Sequence, residues 1–345
     1  MEKLNLLIFD MDGVLIDVSG SYRETIRRTV RIYLETCLGF QKGAGKVTPA
    51  DISLFKSAGG FNNDWDLTSG LLLYLVSSSG LPPFPKGKTF SSISEVISHL
   101  KTRSSPFRRD RMPEVNGKNL SSFFKKVKSA GRGLKGVRKA LESSWDGWVF
   151  RSGELDKENL VKRIFQEVYL GKKFTSYYHL RPLFHKGDGY YLREKPLIPK
   201  PVLAALHRKL RLGIASGRPR FEAELALKRF HLFPYFESIV TLDDCEKEEK
   251  RIFRLTGRRI NFSKPHPYSL LKVTKEIGLP NPQCGYVGDV GDDMLAAKAA
   301  RKKVPMVAIG FLTDDPQAKT LRNALTRAGA DLIIENSREF LQLIK

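Results

Sequence analysis

The spacing of apolar and polar residues differs between the middle of the chain and its two ends. Residues 4–9 are uniformly apolar, which predicts a buried strand. From about residue 200 onward, amphipathic stretches alternate with short apolar runs. The predicted strands there lie in LGIA, SIVTLDD, CGYVG, VPMVAIG and ADLIIEN, and the predicted helices in VLAALHRKL, RFEAELALKRF, YSLLKVTKEIG, DMLAAKAA, QAKTLRNALTRAG and REFLQLI. This alternation predicts an α/β fold, a Rossmann-like parallel sheet with helices on both faces that includes the first strand.

Between the first strand and residue 200 the pattern is helical. Helices are expected over residues 21–38, from about Thr48, over Asp64–Val76 and within residues 156–171. Thr48 and Asp51 have the spacing of a capping box. We therefore predict a core of residues 1–17 and 199–345, with residues 18–198 inserted as a helical cap.

Part of this insertion, residues 81–150, is strongly basic. The whole chain carries a net charge of +22, and residues 81–145 alone hold fifteen Lys and Arg against four Asp and Glu. Short helices are expected here, but no strong core pattern. Such charge favours anionic partners such as phosphates, nucleic acid or acidic lipid, although a solvated basic surface is the simpler interpretation. Few aromatic residues are interleaved, and no RNA-binding signature is present, which argues against nucleic acid.

The remaining composition is that of a globular protein. No apolar run is long enough to cross a bilayer, so we expect no membrane association. We expect no signal peptide, because the first strand is predicted from residue 4 and already leads into the acids. The three cysteines are scattered without metal-ligand spacing and are expected to be reduced thiols in a cytoplasmic protein.

Polar residues that could take part in catalysis or ligand binding follow the predicted strands. Asp10 and Asp12 end the first strand, although a buried carboxylate is costly unless a cation or hydrogen bonds compensate it. Ligands of parallel sheets bind at the carboxyl ends of the strands, so these acids are expected to meet the polar groups that follow other strands. Those groups are Ser216, Gly217, Arg218, Lys264, Asp289, Asp292 and Asp293.

Four segments, in order, resemble the four motifs of the haloacid dehalogenase superfamily: DMDGVLID, ASGRP, KPHP and GDVGDD. The resemblance covers about residues 4–17 and 200–345. The insertion after the first motif is similar to the helical C1-type cap of subfamily I. DVSGSYRETI, GGFNNDWDLT and GRPRFEAE further resemble phosphoglycolate-phosphatase-like proteins, whereas residues 81–150 match nothing known in the family.

The resemblance implies catalytic roles for four residues. Asp10 would be the nucleophile that takes the phosphoryl group, and Asp12 the acid and base that serves the leaving oxygen and then water. Ser216 and the backbone N–H after it, that of Gly217, would hold phosphoryl oxygens. Lys264 would balance the charge of nucleophile and phosphate.

The resemblance also implies Mg²⁺ as cofactor. Asp10, the backbone carbonyl of Asp12 and Asp289 would bind the ion, and Asp293 would orient its water. Four further residues are substrate-binding candidates. Gly217 is one, and Arg218 either binds the substrate phosphate or caps a helix. Asn62 and Asn63 either contact substrate or serve cap packing and a helix start.

The expected function is Mg²⁺-dependent hydrolysis of a small phosphomonoester through an aspartyl-phosphate intermediate, the reaction of a phosphoric monoester hydrolase. Asp12 argues against a dehalogenase, which usually lacks the second acid. A phosphomutase and a phosphonatase of the same superfamily remain open. So does a nucleic-acid end phosphatase that uses the basic residues 81–145. A non-catalytic scaffold is disfavoured because every motif residue is intact.

Overall fold

The computed structural model describes residues 3–43, 45–57, 60–61, 63–85, 87, 89–107, 117–312 and 318–344. The chain forms two compact units. The first contains Met1–Val18 and Glu194–Lys345, and the second contains Ser19–Arg193. The predicted boundary after residue 17 lies one residue before the observed boundary after Val18. The predicted boundary after residue 198 lies five residues beyond the observed boundary after Arg193.

The first unit is built on a parallel sheet of six strands, in the order β5-β4-β1-β6-β7-β8. Two further strands, β2 and β3, form a short antiparallel pair. The strands are β1 (Leu6–Phe9), β2 (Ile16–Asp17), β3 (Lys195–Pro196), β4 (Arg211–Ala215), β5 (Ser238–Val240), β6 (Cys284–Gly288), β7 (Met306–Phe311) and β8 (Leu332–Ile334). The predicted α/β fold with a parallel sheet is thus confirmed.

The helices, numbered along the chain, belong to both units. They are α1 (Tyr22–Ile32), α2 (Pro49–Ser57), α3 (Asp64–Ser77), α4 (Ile93–Ser104), α5 (Gly117–Ser129), α6 (Gly133–Ala140), α7 (Leu160–Leu170), α8 (Lys173–Tyr178), α9 (Lys200–His207), α10 (Arg220–Arg229), α11 (Leu242–Thr256), α12 (Tyr268–Ile277), α13 (Gly291–Ala300) and α14 (Ala318–Ala328). A π-helical turn, Tyr33–Cys37, extends α1. None of the helices in the described ranges has the length and apolarity needed to cross a bilayer.

Strand β1 lies at the centre of the sheet, between β4 and β6, and is fully buried. Its alternate side chains face opposite sides. Leu6 and Ile8 join a core cluster with residues of α12 and α13. Phe9 instead contacts the rings of Phe236 and Phe340. Both faces of the strand are therefore covered, which explains why its sequence is uniformly apolar rather than alternating.

The second unit is helical. Helix α1 packs on α7 and α3, and the Tyr22 ring stacks on Tyr169 at 4.4 Å between centroids. The expectation of no core pattern in residues 81–150 is wrong for the described part of that range. Helix α6 packs against α3 and α5, and the buried apolar side chains of this range include five with no exposed surface: Val96, Leu100, Val127, Val137 and Trp148. On α4 the buried Ile93, Val96 and Leu100 do have helical spacing, but this stripe is only about two turns long and is followed by a basic segment.

Several elements differ from the sequence predictions. Helix α11 follows β5 directly, where the prediction extended the strand to Asp244. A capping box between Thr241 and Asp244 starts this helix, and Gly257 ends it. The β2–β3 pair was not predicted because two-residue strands carry no periodicity. Residues Ser337–Ile344, predicted as an α-helix, form a 3-10 helix.

Candidate active site

The register of the sheet brings the predicted catalytic segments to one edge. Phe9 pairs with Ile214 of β4 on one side and with Val287 of β6 on the other. The ends of these three strands are therefore neighbours. Asp10 comes one residue after Phe9, whereas Ser216 and Asp289 come two residues after Ile214 and Val287.

Lys264 joins two buried acids at this edge. Its Nζ lies 2.9 Å from Asp10 Oδ2 and 2.6 Å from Asp293 Oδ1. It also donates to the hydroxyl of Tyr286 at 2.9 Å. That hydroxyl, fully buried, lies 3.0 Å from Asp293 Oδ1 and 3.3 Å from the carbonyl oxygen of Ala215. Charge and hydrogen bonds thus hold the ammonium in place, which compensates the cost of its burial.

One ammonium cannot neutralise two buried carboxylates, and the pKa values show this. Burial raises the pKa of Asp10 to about 7; Lys264 opposes this rise, and Asp293 and Asp12 add to it. Burial lowers the pKa of Lys264, but Asp10 and Asp293 outweigh it and raise that pKa well above its usual value. Lysine therefore stays charged, and Asp10 is the group left short of positive charge.

A group of three acids has the geometry to hold a metal ion. One oxygen each of Asp10, Asp289 and Asp293 lie within 4.8 Å of one another. Asp293 already accepts hydrogen bonds at both oxygens: Lys264 and Tyr286 donate to Oδ1, and the backbone N–H groups of Asp289 and Val290 donate to Oδ2. Asp293 thus has two donors at each oxygen, whereas Asp10 has one at each among the described residues, the Met11 N–H at Oδ1 and Lys264 at Oδ2. Asp10 and Asp289 are therefore the better candidates for direct ligands.

Two glycines make room for these acids. Gly13 has φ +79°, and a Cβ there would lie 2.1 Å from Asp289 Oδ2. A Cβ on Gly288 would lie 2.2 Å from Cβ of Asp293. Any side chain at either position would displace an acid of the group.

The remaining core candidates lie in the first unit as well. Ser216 is buried, and its Oγ accepts the backbone N–H of Arg218 at 3.2 Å. The guanidinium of Arg218 is not at the surface but pairs with Asp12 and Glu194. Both roles considered for Arg218, binding of the substrate phosphate and helix capping, stay predictions.

Of the two asparagines in the cap that were predicted as substrate-binding candidates, the structure describes one. Asn63 caps α3: its Oδ1 accepts the backbone N–H of Asp66 at 2.8 Å, and its Nδ2 lies 3.2 Å from Asp66 Oδ2. The side chain thus serves a helix start, the alternative considered from the sequence. Asn62 lies outside the described residues.

Sequence reasoning missed three residues of this edge: Tyr286, Gly288 and Glu194. Tyr286 lies within an apolar strand and was taken as part of it. Gly288 was visible in GYVGD, but the need for space against Asp293 appears only in three dimensions. Glu194 lies in a proline-rich segment without any signal for a site.

We expect Tyr286→Phe to lower activity more than its cost in stability explains. The change removes the hydroxyl that contacts Lys264 and Asp293, and the loss of one buried hydrogen-bonding group costs about 1–3 kcal/mol. Tyr33→Phe is the matched control, because the Tyr33 hydroxyl is equally buried and bonded to Trp148 and Phe150 in the other unit. Urea unfolding and steady-state rates of both variants test this. Equal rates in two variants of equal stability would contradict a role for Tyr286 at the site.

Curated relatives match this chain at low identity. An imidazoleglycerol-phosphate dehydratase from Phytophthora nicotianae is 24% identical over 317 residues, which cover 91% of this chain and 45% of that protein. A phosphoglycolate phosphatase from Salmonella typhi is 31% identical over 35% of this chain and 44% of its own length. A pyrophosphatase PpaX from Bacillus pumilus is 29% identical over 44% of this chain and 64% of its own length. The chain thus spans about half the length of the curated relatives it matches.

Solved structures share the fold. A structure from the Northeast Structural Genomics Consortium matches with a TM-score of 0.60 and 20% identity, over 99% of this chain and 98% of that one. Phosphatase Tt82 from Thermococcus thioreducens matches with a TM-score of 0.51 and 19% identity, over 93% of this chain and 99% of its own.

The family comparison covers half of the chain. Residues 127–301 match the haloacid dehalogenase-like hydrolase family. The matched range includes the segments that hold Ser216, Lys264, Asp289 and Asp293, and β1 with Asp10 is the neighbour of both β4 and β6 in the same sheet. The chain belongs to the haloacid dehalogenase-like hydrolase family.

Proposed function

We propose that this protein is an Mg²⁺-dependent phosphatase that hydrolyses a small phosphomonoester through an aspartyl-phosphate on Asp10. The observation that carries the proposal is the environment of Asp10. Its carboxylate ends the central strand, is buried, and is held by Lys264 beside the two acids Asp289 and Asp293. A charged group so placed costs stability, and chemistry at an anionic substrate gives a reason for it.

The first step forms the intermediate. A carboxylate oxygen of Asp10 attacks phosphorus, the bond from phosphorus to the ester oxygen breaks, and Asp12 gives its proton to the leaving alcohol oxygen. In the second step Asp12 takes a proton from water as the water oxygen attacks the phosphorus. Phosphate leaves, and Asp10 is restored. The hydroxyl of Ser216 and the backbone N–H of Gly217 would bind phosphoryl oxygens, and Lys264 would offset their charge.

The donor set fits Mg²⁺. Magnesium prefers carboxylate oxygens and retains several waters, which suits a site with two available carboxylates, Asp10 and Asp289, and the backbone carbonyl of Asp12. Asp293 would hold the loop around Asp289 through its backbone contacts. The bound ion would supply positive charge to the phosphoryl oxygens.

The family and the relatives support a small phosphorylated metabolite as the substrate. Relatives named for phosphoglycolate, pyrophosphate and imidazoleglycerol phosphate all point to small phosphorylated metabolites. A cytoplasmic location is part of the proposal, because all three cysteines are free and buried, as suits a reducing compartment.

A phosphate-release screen tests the function. The panel contains phosphoglycolate, pyrophosphate, imidazoleglycerol phosphate, sugar phosphates that include a hexose 1-phosphate, a phosphonate and a 5′-phosphorylated oligonucleotide, each with Mg²⁺ and with EDTA. We expect one small ester to be hydrolysed, and only with Mg²⁺. Turnover of the oligonucleotide alone would favour a nucleic-acid end phosphatase. Release of phosphate from no ester, beside conversion of a hexose 1-phosphate to its 6-isomer or cleavage of a phosphonate, would replace the proposal by a mutase or a phosphonatase.

A further inference from the structure

Arg218 is among the largest fully buried side chains in the described part of the chain, and it bridges two carboxylates. Its Nε lies 2.5 Å from Asp12 Oδ1. Its Nη1 and Nη2 lie 3.4 Å and 3.1 Å from the two oxygens of Glu194. The guanidinium thus binds Glu194 with both terminal nitrogens and Asp12 with the third, a geometry that fixes its plane.

The two carboxylates are not equivalent. The Glu194 side chain is 1% exposed, whereas that of Asp12 is 26% exposed. A buried charge without a partner is strongly destabilising, so Glu194 needs Arg218 in place. The partly exposed carboxylate of Asp12 can contact solvent or a substrate. Glu194 is therefore the anchor of the guanidinium, and Asp12 is the group that the guanidinium orients.

The backbone links the same residues. The N–H of Gly13 bonds to the carbonyl of Ile16, and β2, which starts at Ile16, pairs with β3. Glu194 directly precedes β3. The loop that carries Asp12 and the segment that carries Glu194 thus belong to one continuous local structure, with Arg218 joining their side chains.

We propose that Arg218 and Glu194 are positioning residues for Asp12, which set the direction of the carboxylate that protonates the leaving group. This inference rests on the proposed phosphatase function. A direct role for Arg218 in binding the substrate phosphate is the alternative. The guanidinium is 1% exposed and already engaged by two carboxylates, so a phosphoryl group would have to displace one of them.

The two roles differ in their dependence on the leaving group. An alkyl ester needs a proton on its leaving oxygen, whereas p-nitrophenolate leaves without one. A misplaced Asp12 therefore slows phosphoryl transfer from the alkyl ester alone. A lost phosphate contact slows both esters, because both carry the same phosphoryl group. The quantity kcat/KM isolates this first step, since it does not include breakdown of the aspartyl-phosphate.

The experiment compares kcat/KM for p-nitrophenyl phosphate and for the alkyl ester found in the screen. The variants are Glu194→Gln, which preserves the shape of the side chain, and Arg218→Lys, which preserves the positive charge but not the planar set of guanidinium N–H donors. Asp12→Asn shows how far the ratio of the two kcat/KM values falls when the general acid is removed entirely. Glu167→Gln is the matched control, because Glu167 is another buried carboxylate paired with an arginine, Arg163, in the helical unit.

We expect the ratio of alkyl to p-nitrophenyl kcat/KM to fall by roughly 10²-fold in both variants, since general acid catalysis contributes at least that much. The ratio should stay unchanged in Glu167→Gln. Should Arg218→Lys not fold, Glu194→Gln alone decides. Equal losses for both esters, or no loss, would overturn the positioning role. A wild-type chain that hydrolyses neither p-nitrophenyl phosphate nor any ester of the screen would instead overturn the phosphatase function on which the positioning role rests.

Discussion

Asp10→Asn should abolish phosphate release while the protein remains folded. The amide is a poor nucleophile, and loss of a residue that forms the covalent intermediate typically costs a factor of 10⁴ or more, so we expect a fall of roughly that size in kcat. The measurement is initial-rate phosphate release from the best substrate of the screen with saturating Mg²⁺. Asp188→Asn, which removes an exposed aspartate paired with Lys172 in the helical unit, is the control and should retain full activity. A tenth or more of the wild-type rate in Asp10→Asn would refute its role as nucleophile.

The same variant should be more stable than the wild type in EDTA, and the gain should grow with pH. The pKa of Asp10 in the folded chain, about 7, lies above its ordinary value of 3.8. The folded chain therefore holds this proton more tightly than the unfolded chain. Its stabilising contribution is complete below about pH 4 and is lost as the pH rises to about 7. Asparagine stays neutral, so it avoids this loss, which amounts to a few kcal/mol at most.

Urea unfolding of both proteins in EDTA from pH 5 to pH 8 measures the effect. A difference in unfolding free energy that does not change with pH would mean that Asp10 titrates normally in the folded chain. A difference that shrinks as the pH rises would mean that Lys264 stabilises the ionised carboxylate more than burial destabilises it. The rate measurement remains a separate test of the nucleophile.

The architecture and the sheet edge were predictable because two simple regularities determine them. From residue 200 onward, the spacing of apolar residues distinguishes helices from strands. Parallel strands run in the same direction, so their carboxyl ends lie at one edge of the sheet. Asp10, Lys264, Asp289 and Asp293 were expected together on that basis, and the distances among their side chains agree. The capping box of α2 follows the same local logic: Thr48 and Asp51 exchange hydrogen bonds as their spacing predicts.

Features that depend on distant parts of the chain were not predictable. Arg218 lies 206 residues from Asp12 and 24 from Glu194, so its burial between two carboxylates leaves no local pattern. The Thr241–Asp244 capping box, by contrast, was present in the sequence as a helix start. It was missed because TLDD continues an apolar strand. Burial among residues 81–150 was missed for a third reason: its apolar stripes are short and lie between basic segments.

Gly13→Ala should remove the metal site without removing any of its ligands. The added Cβ would lie 2.1 Å from Asp289 Oδ2, so the carboxylate must move away from Asp10. Asp289 would then be lost to the ion, and activity should fall below a hundredth of the wild-type rate, since loss of one metal-site partner alone costs about 10–100-fold. The stabilisation by Mg²⁺, about 2.7 kcal/mol at one hundred times its Kd in the wild type, should disappear.

A second glycine separates this clash from the strain of the backbone. Gly257, at the end of α11, has φ +67°, close to the φ +79° of Gly13, but a Cβ there would meet nothing within 4 Å. Gly257→Ala should therefore cost about 1–2 kcal/mol in unfolding free energy and leave both the rate and the Mg²⁺ response intact. Thermal unfolding of both variants across a Mg²⁺ titration makes the comparison. The two glycines share a positive φ but not the clash with Asp289. A Gly13→Ala protein that still gains stability from Mg²⁺, at the Mg²⁺ concentrations that stabilise the wild type, would show that Asp289 does not bind the ion.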